Sequence, residues 1–182
     1  MRNLHTVYDV ITVYDVHRCE TAEECDAYIA GLPQGTEITV WNTQVADPMT
    51  AAEIEQMAQE IRAWLIEHDL WMDCRIYFNG KAYATDRTIN GHTEFAYNDP
   101  QKLFILENED PRNYFEYVGD ILSMSFEGDL YDLLNYCYDG KLHDEFYNIF
   151  DRHGCYFELG NAWNLTAAYK YEVTEKEHIE KC

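Results

Sequence analysis

Two Asn-Gly dipeptides, Asn79-Gly80 and Asn90-Gly91, limit the fold of this chain more than any other feature. Each separates two short segments rich in strand-forming residues, 75–78 from 81–84 and 85–89 from 92–97. Asn-Gly supplies the two positive φ values of a type I′ turn, whose twist matches that of paired strands. The spacing predicts an antiparallel meander over residues 73–97, extended by residues 102–106.

Helical signals flank this block. Thr21 and Glu24 have capping-box spacing, followed by Cys25, Tyr28 and Ile29 at helical intervals, with Gly31 and Pro33 as the stop. Thr50 and Glu53 repeat the box and open the clearest amphipathic pattern, Ile54, Met57, Ala58, Ile61, Trp64 and Leu65 on one stripe. Glu53, Glu55, Gln56, Glu60, Arg62 and Glu67 form the other face, read as solvated. Residues 37–41 read as a strand. Residues 6–17 hold a tandem hexapeptide, Thr-Val-Tyr-Asp-Val-Ile and then Thr-Val-Tyr-Asp-Val-His. As one strand it would align Tyr8, Val10, Tyr14 and Val16 on one face and hold Asp9 and Asp15 about 20 Å apart on the other.

The polar run 107–112, broken by Pro111, is the expected boundary. Beyond it the pattern reads strand (121–126), helix (130–138), an Asp139-Gly140 turn, helix (142–153), strand (155–159) and strand (165–171), then a charged tail with helical character. The expected fold is α+β, a largely antiparallel sheet with helices packed on one face, divisible into two small α/β halves. The expected regions are 1–106, an acidic, Tyr-rich β-α-α-β region at 113–171, and a tail at 172–182.

Charge bears on function. The 182 residues contain 34 acids against 13 Lys and Arg, a formal charge of -21. Like charge at this level destabilises a compact state, and solubility needs a magnitude of only about 2–8 in a small domain. Hydrophobic residues make up 47%, so the chain is not acidic because it is disordered. Residues 107–151 hold twelve acids opposed by Arg112 and Lys141 alone, a net of -10, interleaved with Tyr114, Tyr117, Tyr131, Tyr136, Tyr138 and Tyr147. A negative field beside aromatic anchors steers a basic partner and then holds it. Asp120, Glu127, Asp129, Asp132, Asp139, Asp144, Glu145, Tyr131 and Tyr138 are the expected partner-binding residues. The same acids read without a partner are a solvated surface.

The sequence holds no H-E-x-x-H, P-loop, G-x-S-x-G or G-x-G-x-x-G pattern. His17 with Cys19 and Cys25, and His153 with Cys155, each lack a second pair of ligands for a closed zinc site. The acidic cluster at 129–139 does not follow the EF-hand loop. No cofactor, metal or catalytic residue is therefore expected, and the chain reads as a non-enzyme. A Cys–His pair assembled by the fold is the alternative from another class. Trp163, in the turn after Gly160, reads as a core plug. The scattered cysteines and the lack of a signal peptide or of an 18-residue apolar run predict a cytoplasmic protein with reduced thiols.

Ser123-Met-Ser-Phe-Glu-Gly-Asp-Leu-Tyr-Asp-Leu-Leu-Asn-Tyr136 and Tyr156-Phe-Glu-Leu-Gly-Asn-Ala-Trp-Asn-Leu165 resemble small acidic proteins of mobile elements in gut Firmicutes. In size, acidity and lack of a catalytic motif the chain is similar to the type II-A anti-CRISPR proteins. That resemblance covers about 50 residues and carries no common fold. It implies direct binding to the type II RNA-guided DNA nuclease of the host with its guide RNA, blocking DNA recognition or cleavage. Such a nuclease has a positively charged channel and reads a short duplex motif with arginines. An antirestriction DNA mimic and an immunity protein against a toxic nuclease share the same charge logic. Direct contact with nucleic acid is disfavoured at -21, with a local basic spot inside a ternary complex left open.

Overall fold

The computed structural model describes residues 4–119 and 121–180, with Ala46 and residues 171–180 described by their backbone. The chain forms two compact units, one of residues 1–48 and 169–182, the other of residues 49–168.

The first unit begins with β1 (Leu4–Ile11), β2 (Val16–Cys19), α1 (Ala22–Gly31) and β3 (Glu37–Ala46). The tandem hexapeptide is not one strand. Its second Thr makes the turn: Thr12 N donates to Asp15 O at 2.9 Å, and Thr12 Oγ1 accepts from Tyr14 N and Asp15 N. The two copies thus fall on either side of a hairpin, with Val10 opposite His17 and Asp9 opposite Arg18. Asp9 is held by Arg18 at 2.8 and 2.9 Å, and Tyr14 is 94% exposed at the turn, so no shared Tyr–Val face or pair of spaced aspartates forms. Thr21 caps α1 as its spacing predicts. Val10, Cys19, Cys25, Ile38 and Val40 make this unit's core, with Tyr8, Tyr28, Ile29 and Leu32 packed on it.

The second unit opens with α2 (Ala51–Glu67), whose Thr50/Glu53 capping box is complete and whose stripe of Ile54, Met57, Ala58, Ile61 and Leu65 is buried. Then follow β4 (Cys74–Phe78), β5 (Lys81–Ala84), β6 (Asp86–Ile89), β7 (His92–Phe95), β8 (Phe104–Glu107), a 3₁₀ turn (Pro111–Asn113), β9 (Ser123–Phe126), α3 (Gly128–Tyr136), α4 (Gly140–Arg152), β10 (Cys155–Asn161) and β11 (Asn164–Tyr169). Both Asn-Gly pairs have positive φ at both residues, as the type I′ reading requires. They do not make one meander. The sheet order is β10-β11-β9-β4-β5-β8, and β6-β7 is a separate hairpin. The chain leaves the sheet at buried Thr85, whose backbone and hydroxyl both bond to Cys74 and whose carbonyl accepts from Ala96 N at 2.8 Å. The edge of β5 is then open to β8, with Tyr83 opposite Ile105.

Cross-strand partners share a face. Tyr83, Ile76, Met124 and Leu165 form one row, and Tyr83 reaches Glu55 of α2 at 3.2 Å, so α2 covers this face. α4 packs on α2, with Trp64 and Phe146 rings 5.2 Å apart. On the opposite face Tyr77 and Ala82 pack against Phe115 and Val118. The fold is α+β.

The region boundaries differ from the sequence reading. The polar run at 107–112 ends β8 and enters the 3₁₀ turn, where Asp110 accepts from Arg112 N and Glu109 N donates to Gly80 O. Strand β9 pairs with β4 and binds both sides of that run into one sheet. The tail does not form a helix. Residues Tyr171–Glu180 form β12, antiparallel to β3, with a register shift between Val173 and Glu175. The backbone of β3 would otherwise present an unpaired edge there.

Candidate functional site

The acidic stretch is organised by the corner between α3 and α4. Leu130, Leu133 and Leu134 bury one side of α3, which leaves Asp129 and Asp132 exposed. Cys137 ends the helix in the left-handed region with φ 49°. Asp139 then caps α4, accepting from Lys141 N at 3.0 Å and Leu142 N at 3.1 Å. Phe146, Ile149 and Phe150 bury the inner side of α4.

Tyr138 is the centre of this corner. It is 57% exposed. Its partial burial, then the fields of Asp129, Asp139 and Asp132, raise its phenol above the ordinary value. Tyr131 stacks edge-on against Tyr136 with centroids 6.0 Å apart, and the hydrogen bond between them is the main cause of the raised Tyr131 value. Tyr138 thus lies in the fields of Asp129, Asp132 and Asp139, while Tyr131 packs on Tyr136 and feels Asp132.

The other expected residues lie elsewhere. Asp144 is exposed on α4, its carboxylate 3.9 Å from His143. Glu145 is already engaged, 3.3 Å from Lys141 and 3.6 Å from His68 at the C-terminal cap of α2, so it does not belong to the corner. Glu127 occupies the N-cap of α3 without capping it and lines a cleft instead. Asp120 lies outside the described residues.

Several partners escaped the sequence reading because they depend on register. The face of α2 read as solvated is partly engaged. Glu55 takes Lys81 at 2.9 Å, and Arg62 donates to the carbonyls of Asp99 and Lys102. Glu60 accepts from His153 at 3.0 Å and from Arg152 at 3.5 Å. Burial opposes its ionisation, but the bonds from His153 and Gln56 prevail and its pKa is lowered. Trp163 is not a core plug. It is 40% exposed, with its ring edge-on to Phe115 at 5.8 Å.

The thiols are mostly inside. Burial pushes Cys74 up to about 12, so it is a poor nucleophile at neutral pH. Cys155 lies buried against Met49, and His153 turns to Glu60 rather than to it. His17 stacks on Tyr28 at 3.9 Å while Cys19 and Cys25 are core residues. Among the described residues no three His, Cys, Asp or Glu are grouped to hold a metal ion, and no helix is long and apolar enough to cross a membrane.

No family model matches the chain, and no solved structure matches it. A curated pyridoxine/pyridoxamine 5'-phosphate oxidase of Bordetella petrii is similar over 43 residues at 46% identity, 24% of this chain. The chain spans 20% of that protein's length, and a likeness of this extent carries no whole-protein activity across.

Proposed function

We propose that this protein is a non-enzymatic inhibitor that occupies the basic nucleic-acid channel of a type II RNA-guided DNA nuclease, acting in the cytoplasm of a bacterial host. The observation that carries the reading is the α3–α4 corner, where the charges of Asp129, Asp132 and Asp139 all act on exposed Tyr138. Carboxylates held together without a matching set of cations cost stability through mutual repulsion. A positive partner turns that cost into attraction, first as a steering field and then as charge-assisted contacts. The tyrosines add rigid contact area with a polar tip. The choice of nuclease class rests on the likeness to type II-A anti-CRISPR proteins in size, acidity and lack of a catalytic motif.

The test is a plasmid-cleavage assay with a purified type II nuclease and guide, the protein added before target DNA. Dose-dependent loss of cleavage, relieved by salt, is the expected result. Full cleavage at large molar excess across several type II orthologues would overturn the reading. Parallel arms with a restriction endonuclease and a nuclease toxin show whether the same charge serves another enzyme.

A further inference from the structure

A second feature of the 49–168 unit lies apart from the α3–α4 corner. A cleft of about 560 Å³ opens on the sheet face opposite α2. Its walls are aromatic: Phe95, Tyr114 and Trp163 line it and are 51%, 47% and 40% exposed. Partly exposed rings gathered in one concavity mark a binding surface, not a scatter of surface hydrophobics. The rings are also supported from behind, Tyr114 by Tyr77 at 5.7 Å and Trp163 by Phe115 at 5.8 Å.

The polar groups of the cleft are predominantly anionic. Asp73, Asp86 and Glu127 line it, against Arg75 alone. Arg75 is committed to Asp86 at 3.2 and 3.4 Å. Asp73 accepts from Tyr97, and that bond pushes the Tyr97 phenol up to about 12. Glu127 makes no capping bond, and its backbone N donates to Asp73 O at 3.2 Å, which sets both carboxylates at one rim. The floor includes the cross-strand pair Arg75–Ser125.

We propose that this cleft receives an arginine side chain presented by a basic protein partner. A guanidinium is planar and weakly hydrated, stacks on aromatic faces, and forks its donors onto carboxylates. An ammonium matches the charge but not the flat walls. A phosphate meets two uncompensated carboxylates, and a neutral ring leaves them unpaired. The proposal deepens the inhibitor reading by naming one side chain of the partner, yet the cleft can be tested without any nuclease.

The experiment is aromatic ¹H–¹³C NMR on the full chain, titrated with N-acetyl-arginine amide. The matched citrulline and lysine compounds serve as controls. The expected result is saturable shifts at Trp163, Tyr114 and Phe95, with arginine bound about tenfold tighter than neutral citrulline. E127Q, an exposed change that leaves the remaining spectrum in place, weakens arginine binding about three- to tenfold. W163A abolishes the shifts at Tyr114 and Phe95. Equal binding of arginine and citrulline, equal binding of lysine, or shifts confined to Tyr131 and Tyr138 would each overturn the proposal. A nuclease left fully active by the wild-type protein removes the inhibitor reading and leaves this titration to decide the cleft.

Discussion

Residues 51–106 carry nine acids and five Lys or Arg; residues 107–151 carry twelve acids and two. Both segments contribute strands to the same six-stranded sheet. In the first, Arg75 meets Asp86, Lys81 meets Glu55 and Arg87 meets Glu94. Arg62 binds two carbonyls and lies over Trp71. In the second, Arg112 meets Asp110 and Lys141 meets Glu145, so two Lys or Arg serve twelve acids. Charge in the first segment ties strands and helix together. In the second, Asp129 and Asp132 stand exposed on α3 and Asp144 on α4. Composition alone gives the same word, acidic, for both.

The largest expected effect separates the two segments directly. D129N/D132N/D144N should weaken nuclease inhibition by about a hundredfold, because close charge pairs across interfaces couple strongly. Its melting temperature should stay level or rise as repulsion is relieved. Matched neutralisation of Glu94, Glu67 and Asp99 should leave potency within a few-fold. Equal loss from both triples in the cleavage titration would erase the distinction.

Next is E60Q, which removes the charged acceptor of His153. Chemical denaturation should show a loss of about 1–1.5 kcal/mol, discounted for partial exposure. The pH dependence has a definite sign. The folded pKa of Glu60 is lowered, so its contribution is complete above the unfolded value of about 4.3 and fades as pH falls through the folded value. The gap between wild type and E60Q should therefore narrow from pH 5 towards pH 3. A gap that widens on acidification would contradict the assignment.

Asp139 belongs to both categories, as helix cap and as member of the corner. D139A should cost about 1 kcal/mol of stability and D139N only a few tenths, since Asn also caps. Both should weaken inhibition alike. The smallest effect is that of salt. Raising ionic strength from about 0.05 to 0.5 M should increase the melting temperature by a few degrees through screening, while weakening inhibition. A lower melting temperature in salt would mean that the charge-balanced segment, not the acid-rich one, dominates the electrostatics.

Local rules made much of the fold legible. The Asn-Gly turns, the Thr50/Glu53 box and the stripe on α2 all specify structure within a few residues. What was not legible depended on partners far along the chain. Thr85 leaves the sheet because Cys74 and Ala96 take its hydrogen bonds, and β12 forms because β3 has an edge. The hexapeptide repeat misled for a different reason: Thr12 starts both a strand-like copy and a side-chain turn, and the turn wins. At the site, the acids of α3 follow from spacing alone, whereas Asp139, read as part of a turn, is the N-cap of α4. The engagement of Glu145 with His68, and the cleft that joins Asp73 to Glu127, follow from packing that no spacing encodes.

The pairing of β12 with β3 also sets an order of assembly. The 49–168 unit is continuous in the chain, so on the ribosome it has all its strands before the last segment emerges. The first unit must wait, with one side of β3 uncovered, until residues 171–180 arrive. Long-range pairing of this kind is slow and exposes a strand edge meanwhile. The 49–168 unit is thus the one that can fold early, and a refolding experiment should resolve it as the faster phase.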